Sequence, residues 1–253
     1  MQKDLTVQTR PARSPIGRSL DVYYRDTARN KRMDALNANF VTAGGLAFDI
    51  GAHVGDRTGS FLRLRARVVA AEPQPKVHRA LRLIHGRNPD VTLMQAAVGA
   101  ELGELVLHVN SANPTISTAS PDLIEAAQRA KEWEGQVWDD RITVPVTTLD
   151  AMIAAHGTPD FIKIDVEGHE LEVLKGLTRP VPALSFEFTT IQRDVAFACL
   201  EALEALAPYR FNFSLGEEHS LRLPMEVSAP QLAKTLRQLP MSANSGDVFA
   251  VMN

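Results

Sequence analysis

The sequence predicts a doubly wound α/β fold, a mostly parallel sheet covered by helices on both faces. Three observations lead there. Short continuous apolar runs such as LAFDI (residues 46–50) and RVVAAE (67–72) have the pattern of strands buried on two sides. These runs alternate with helical stretches, the order that builds right-handed strand–helix–strand units. The first run also ends in a glycine-bearing loop, FDIGAHVGDRTG (48–59), at the place where open α/β sheets form their ligand crevice.

Taken in order, LAFDI is followed by a helix suited to Phe61, Leu62 and Leu64, and RVVAAE is the next buried strand. Pro73 and Pro75 open a helix through Val77, Leu81 and Ile84, since proline is tolerated in a first turn, and Gly86 marks its end. VTLMQAAV (91–98) reads as a third strand and ELVLHV (104–109) as a fourth, added one. NSANPTISTAS (110–120) is a loop by composition, and 121–133 an amphipathic helix. ITVPVTT (142–148) is an edge-type strand, because Pro145 cannot donate to a central ladder. A helix over 149–156 precedes the strand DFIKID, the helix HELEVLKGL, the strand ALSFEF and a helix over 193–206. YRFNFSL and DVFAVM, separated by a helix around 230–239, are strands that pack side by side at one end of the sheet. Residues 1–40 read as a helical N-terminal extension and 41–253 as the main domain.

Composition narrows the class. The chain has 253 residues, 45% of them hydrophobic and 23% charged, as expected for one large globular domain. No apolar run reaches the length of about eighteen residues that a membrane span needs. MQKDLTVQTRPARSP has no apolar segment behind its charges, so a secretory signal is not expected. A lone cysteine, Cys199, points to a reducing, cytoplasmic setting. A net charge of −3 with mixed signs argues against a nucleic-acid surface. Arg10, Arg13, Arg18, Arg25, Arg29, Lys31 and Arg32 read as a solvated arm or helix face, with an acidic substrate or a homo-oligomer contact as the alternative.

The loop 48–59 carries the chemistry. Its glycines at 51, 55 and 59 let a ligand approach the backbone, and the helix behind it presents free N–H groups and a positive dipole end. A dinucleotide site wants G-x-G-x-x-G; here the spacing is G-x-x-x-G and Asp49 precedes it. Asp49 disfavours a pyrophosphate and suits a cationic amino-acid tail. Glu72, at the end of the second strand, is placed to accept hydrogen bonds from both ribose hydroxyls. Adenosine joined to a positively charged amino acid fits both acids; a dinucleotide fits one.

DFIKIDVEGHELEVLKGL (160–177) delivers Asp165 to the mouth of the same crevice, with Glu167, His169 and Glu170 close behind. Acids crowded at a cleft tune proton transfer or hold a hard cation. Glu170 and Glu172 are expected on a solvated helix face.

FDIGAHVGDRTG, AAEPQP, QAAVGAELGELVLHV and FIKIDVEGHELEVLKGL together resemble the FkbM family of methyltransferases, over about residues 48–188. That family's loop usually reads D-x-G-A-N-x-G-x-x-T and its later strand K-x-D-x-E-G-x-E. The resemblance implies a class I methyltransferase fold, Rossmann-like with a mostly parallel seven-stranded sheet. It also implies S-adenosyl-L-methionine as donor and a small-molecule hydroxyl as acceptor, on a natural product, sugar or glycolipid. Asp49, Gly51 and Gly55 match the cofactor loop, Glu72 the ribose-binding acid, and Gln95 a position often held by asparagine near the adenine. His53 departs from the family's asparagine, and serves either the cofactor's tail or as a base.

Methyl transfer to oxygen requires alignment and a proton acceptor. His169 or Asp165 is expected in that role, with Glu187 orienting the acceptor and Asp165 also near the cofactor. A structural metal is not expected; Mg²⁺ held by Asp165, Glu167 and Glu187 is the weaker alternative. Two rival classes are a methyltransferase fold that binds without catalysing and an NAD-dependent oxidoreductase. Asn113, Thr115, Ser117 and Thr118 belong either to a lid or to an ordinary surface loop. Trp133, Trp138 and Tyr209 are expected in core or interface rather than in an acceptor pocket.

Overall fold

A computed structural model describes residues 14–252, so Arg10 and Arg13 of the basic run lie outside the described residues. Two helices, α1 (Pro15–Arg25) and α2 (Thr27–Asn37), precede the sheet, and Asp26 between them caps α2 by accepting the Arg29 N–H at 2.9 Å. The sheet strands are β1 (Leu46–Ile50), β2 (Arg67–Ala71), β3 (Val91–Met94), β7 (Phe161–Ile164), β8 (Ala183–Thr189), β9 (Tyr209–Leu215) and β10 (Ser245–Met252). Their order is β3-β2-β1-β7-β8-β10-β9, parallel except for β10, which runs antiparallel to both neighbours. The chain reverses its winding between β1 and β7, and the crevice outside that point is where such sheets bind ligands.

Side-chain alternation along β1 explains the two layers. Leu46, Phe48 and Ile50 pack into the larger core with α6 (Leu149–His156), α7 (Glu170–Lys175), α8 (Arg193–Leu206) and α9 (Ala229–Gln238). Ala47 faces the other way, into a core with Leu36 of α2, Phe61 of α3 (Asp56–Arg63) and Leu81 of α4 (Pro75–His85). On that side Phe40 stacks on Phe161 at 5.0 Å and on Phe249 at 5.3 Å. Coverage of both faces is why these strands read as unbroken apolar runs.

The middle of the chain departs from expectation. VTLMQAAV is not one strand: β3 ends at Met94, and Ala97–Val98 forms β4 in a separate sheet with β5 (Gly103–Val109) and β6 (Asp140–Thr147). The order there is β4-β6-β5, so the segment containing Pro145 is the central strand and not an edge. Proline is tolerated because β4 pairs with Val146 and Thr147 alone, just past it. ELVLHV likewise joins this small sheet and not the large one. The helix α5 (Pro121–Gln128) stops before the separate turn Lys131–Trp133. Among the described residues no helix is long and apolar enough to cross a membrane.

The basic run is partly structural. Arg29 is buried and so leaves the solvated face, while Arg18, exposed on α1, donates to the carbonyl of Ala112 at 2.6 Å.

Candidate active site

The carboxyl ends of β1, β2 and β7 open onto one pocket. Its lining divides into an apolar side, with Ala96, Ala97, Val98, Leu105 and Leu107, and a charged side, with Asp56, Arg57, Asp165 and Glu217.

The loop after β1 is shaped by packing. Gly51 has φ +78°, and a Cβ there would meet the Asp165 carbonyl oxygen at 1.8 Å, so glycine is what lets the ends of β1 and β7 come together. The Gly51 and Ala52 N–H groups both donate to the Ala71 carbonyl at 2.9 Å, pinning the loop to β2. At Gly55, φ is +86° and a Cβ would meet Leu81 Cδ1 at 2.5 Å. Asp49, buried behind the loop, accepts from the Thr58 hydroxyl at 2.5 Å. Burial pushes its carboxyl up to about 6, against that hydrogen bond.

Glu72 leaves the end of β2 with 3% exposure and ties the loop down from the other side. Its Oε1 accepts the Gln74 N–H at 2.8 Å and its Oε2 the His53 N–H at 3.0 Å. Burial pushes this carboxyl up to about 7, opposed by those same bonds.

His53 has φ +49°, the left-handed region in which asparagine and histidine are the commoner non-glycine residues. The backbone therefore accommodates the departure from asparagine. Its ring lines the pocket without a hydrogen bond among the described residues, and Tyr23 of α1 meets it edge-on at 5.9 Å. Burial lowers its pKa, with Asp56 and Asp165 opposing, so the ring is uncharged at neutral pH.

At the end of β7, Lys163 is 3% exposed and reaches three oxygens. Its Nζ lies 2.7 Å from Asp247 Oδ1, 3.1 Å from Asp165 Oδ2 and 3.2 Å from the Ile164 carbonyl. Burial alone would raise Asp165, but Lys163 and Arg57 outweigh it and hold the carboxyl below its ordinary value. The neighbours go the opposite way: burial, then the Asp165 charge, pushes both Glu167 and Glu187 well up. Oxygens of all three carboxyls lie within 4.8 Å of one another, with Asp165 held down and its two neighbours pushed up. These oxygens would suit a hard cation, yet the Lys163 ammonium already supplies positive charge there.

Most residues singled out from sequence converge here: Asp49, Gly51, His53, Glu72, Asp165, Glu167 and His169 all line the pocket. His169 sits at the start of α7, its Nε2 3.8 Å from where a Cβ on Gly99 would lie, and burial lowers its pKa. Gly55 stands behind the lining as the cap of α3.

Two of the singled-out residues lie outside the pocket lining, and one expectation, that of a solvated Glu170, is corrected. Gln95 does not line the pocket: it follows the break after β3 and its side chain is exposed. Gln74 lines the wall instead, donating to the Pro114 carbonyl and accepting from the Ser117 hydroxyl, each at 3.0 Å. Glu187 stands behind Asp165 and does not line the pocket. Glu170 is no solvated acid: it is 2% exposed and accepts the Val166 and Gly168 N–H groups at 3.2 Å, capping the turn. Glu172, by contrast, is exposed enough to pair with Lys175 at 2.5 Å.

From the loop 110–120, Thr115 and Ser117 line the pocket, while the Thr118 hydroxyl donates to the Glu167 carbonyl at 2.5 Å. Trp133 and Trp138 stack on one another away from the pocket, and Tyr209 is buried against Val181. Sequence reasoning missed Tyr23, Asp56, Arg57, Lys163, Glu217 and Asp247. Asp56, Arg57 and Lys163 lie inside the motifs already quoted; the other three have no local signal.

A model of the methyltransferase FkbM domain matches residues 49–213, more than half of the chain. Among characterised proteins, the hexuronic acid methyltransferase AglP of Haloferax volcanii is 26% identical over 150 residues, covering 58% of this chain. The alignment spans 56% of that relative's length. Among solved structures, precorrin-6y C5,15-methyltransferase from Geobacter metallireducens has a TM-score of 0.47 at 13% identity, covering 91% of this chain and 90% of that one. A TehB-like SAM-dependent methyltransferase from Corynebacterium glutamicum has a TM-score of 0.46 at 10% identity, covering 93% and 94%. With a match that runs from Asp49 of the glycine loop to Phe213 in β9, the chain belongs to the FkbM family of methyltransferases.

Proposed function

We propose that this protein is an S-adenosylmethionine-dependent O-methyltransferase acting on a hydroxyl of a small molecule, a sugar or glycolipid being the favoured class. The observation that carries this reading is the meeting, in one pocket, of Asp49, Gly51 and Glu72 with an ionised Asp165 and two uncharged imidazoles.

The residues present fit the donor. Each Glu72 oxygen accepts one backbone N–H, which leaves carboxylate lone pairs for ribose hydroxyls. Asp49 places negative charge behind the loop, suited to a cationic amino-acid portion, and Ala96, Ala97, Val98 and Leu107 form an apolar wall for an adenine. S-adenosylmethionine, when bound, supplies a methyl group already activated by its sulfonium. The protein then has to position the acceptor oxygen and take its proton.

For that proton we favour His53 over His169. His53 lies on the charged side, close enough to Asp56 and Asp165 to feel both charges, whereas His169 faces Gly99. Asp165, paired with Lys163, is held too acidic for a base and serves as an anchor, with the Glu167 carboxyl, pushed up by burial, beside it. The relative AglP, by name a hexuronic acid methyltransferase, supports a sugar-like acceptor without specifying it.

His53→Asn tests the assignment, because asparagine tolerates the left-handed backbone at that position. We expect retained binding of S-adenosylmethionine and turnover lowered about 10²-fold or more, the usual worth of a general base. His169→Ala should cost less. Full turnover in His53→Asn would remove His53 from the proton transfer.

A further inference from the structure

We infer that Glu217 fills an anion site on the charged side of the pocket and thereby restricts the acceptor to uncharged polyols. This rests on the methyltransferase reading above and deepens it.

One oxygen of Glu217 is met from three sides. Arg29 Nε donates to Oε2 at 2.9 Å and Arg29 Nη2 at 2.5 Å, while His219 Nε2 lies 3.0 Å away and Arg57 Nη2 3.5 Å. Two guanidinium groups and an imidazole converging on one carboxylate oxygen are the surroundings a bound acid would have. Here the acid belongs to the chain itself. Burial would raise the Glu217 carboxyl, but His219, Arg57 and Arg29 outweigh it and hold the group far below its ordinary value.

Among the described residues no cation at this end is left over. Arg29 pairs with Asp56 at 2.8 Å as well as with Glu217. Arg57 pairs with Asp56 at 3.1 Å, and lies 4.0 Å from Asp247. Lys163 is taken by Asp165 and Asp247. Arg57 is the one lysine or arginine among the described residues that line the pocket, against Asp49, Asp56, Glu72, Asp165, Glu167 and Glu217. A substrate carboxylate entering here would lose its water and gain no free counter-charge, a costly exchange. Sugar hydroxyls meet no such penalty: they donate to the spare lone pairs of the carboxylates. The side chain of Glu217 is 48% exposed on the turn after β9, so its removal opens the site without emptying the core.

The test uses the full chain with S-adenosylhomocysteine bound, titrated calorimetrically with methyl glucoside and with methyl glucuronoside, the same pyranose with and without a carboxylate. Methyl transfer from labelled S-adenosylmethionine to each sugar is followed in parallel. Wild type is expected to favour the neutral sugar. Glu217→Ala should shift the uronate-to-neutral ratio by at least about tenfold toward the uronate, one fully paired charge being worth that much or more. Glu217→Gln, which removes the charge and keeps the bulk, should shift it less. A wild-type preference for the uronate, or an unchanged ratio in Glu217→Ala, overturns the inference. So does binding of neither sugar to a chain that holds S-adenosylhomocysteine, which leaves the methyltransferase reading standing. Failure to bind S-adenosylhomocysteine overturns that reading and this inference together.

Discussion

The loop side and the charged side of the pocket are built from different kinds of chain. Asp49, Gly51, His53 and Glu72 belong to a single β1–loop–α3–β2 unit, held by short backbone bonds such as Gly51 N–H to Ala71 O. The charged side brings Tyr23 from α1, Asp56 and Arg57 from α3, Lys163 from β7 and Asp165 just after it, Glu217 from the turn after β9 and Asp247 from β10. Local backbone geometry secures the first group; ion pairs between distant segments secure the second.

Breaking each side separately should therefore give unlike results. The largest effect is expected at Lys163→Met, which leaves the buried Asp247 and the partly exposed Asp165 without their ammonium. Loss of one partner from a buried ion pair costs about 3–5 kcal/mol, read as a lowered midpoint in thermal or denaturant unfolding. Wild-type stability in this variant would mean that the charged side is not held by its ion pairs. Next comes Gly51→Ala. The methyl would lie 1.8 Å from the Asp165 carbonyl and demand a left-handed alanine, so a loss of at least about 1–2 kcal/mol is expected, together with weakened donor binding. Unchanged donor affinity there would separate the loop's shape from its ligand.

A pH series sharpens the same contrast. Burial holds Asp49 up to about 6 and Glu72 up to about 7, so the folded chain keeps protons that the unfolded chain would release at lower pH. Their contribution to stability is present below about pH 4, the ordinary carboxylate range, and is lost as pH rises through about 7. Asp165 and Glu217 are shifted downward and act in the opposite sense, with their contribution present above the ordinary carboxylate range and lost progressively as pH falls below about 4. A net-cationic donor favours ionised Asp49 and Glu72, so its affinity should strengthen between about pH 6 and 8. Glu72→Gln should flatten the upper part of that profile. The smallest effect is expected at Thr58→Val, which removes the hydroxyl donated to Asp49 and should cost about 1 kcal/mol or somewhat more.

Legibility in sequence follows the same division. The seven strands of the large sheet and the helices between them could be read because each is a local pattern: LAFDI alternates between two buried faces, and YRFNFSL coincides with β9. The break within VTLMQAAV could not, because Gln95 and Ala96 interrupt nothing in the apolar run; the strand ends where β4 finds β6, a partner some fifty residues away. For the same reason Pro145 suggested an edge, although β6 is central. In the site, the two glycine and acid motifs announced the loop side. Tyr23, Glu217 and Asp247 are unremarkable in their own neighbourhoods and acquire a role only through folding. Glu170 was misjudged because a helix-start glutamate looks the same in sequence whether it faces water or turns back to cap Val166 and Gly168.

Calorimetric titration of the purified chain with S-adenosylmethionine and, separately, with NAD, alongside a Glu72→Ala variant, addresses the central assignment most directly. Micromolar binding of S-adenosylmethionine, worth about 8 kcal/mol, is expected in wild type and should be lost in the variant, with no binding of NAD. Binding of NAD instead, or S-adenosylmethionine affinity indifferent to Glu72, would contradict the assignment.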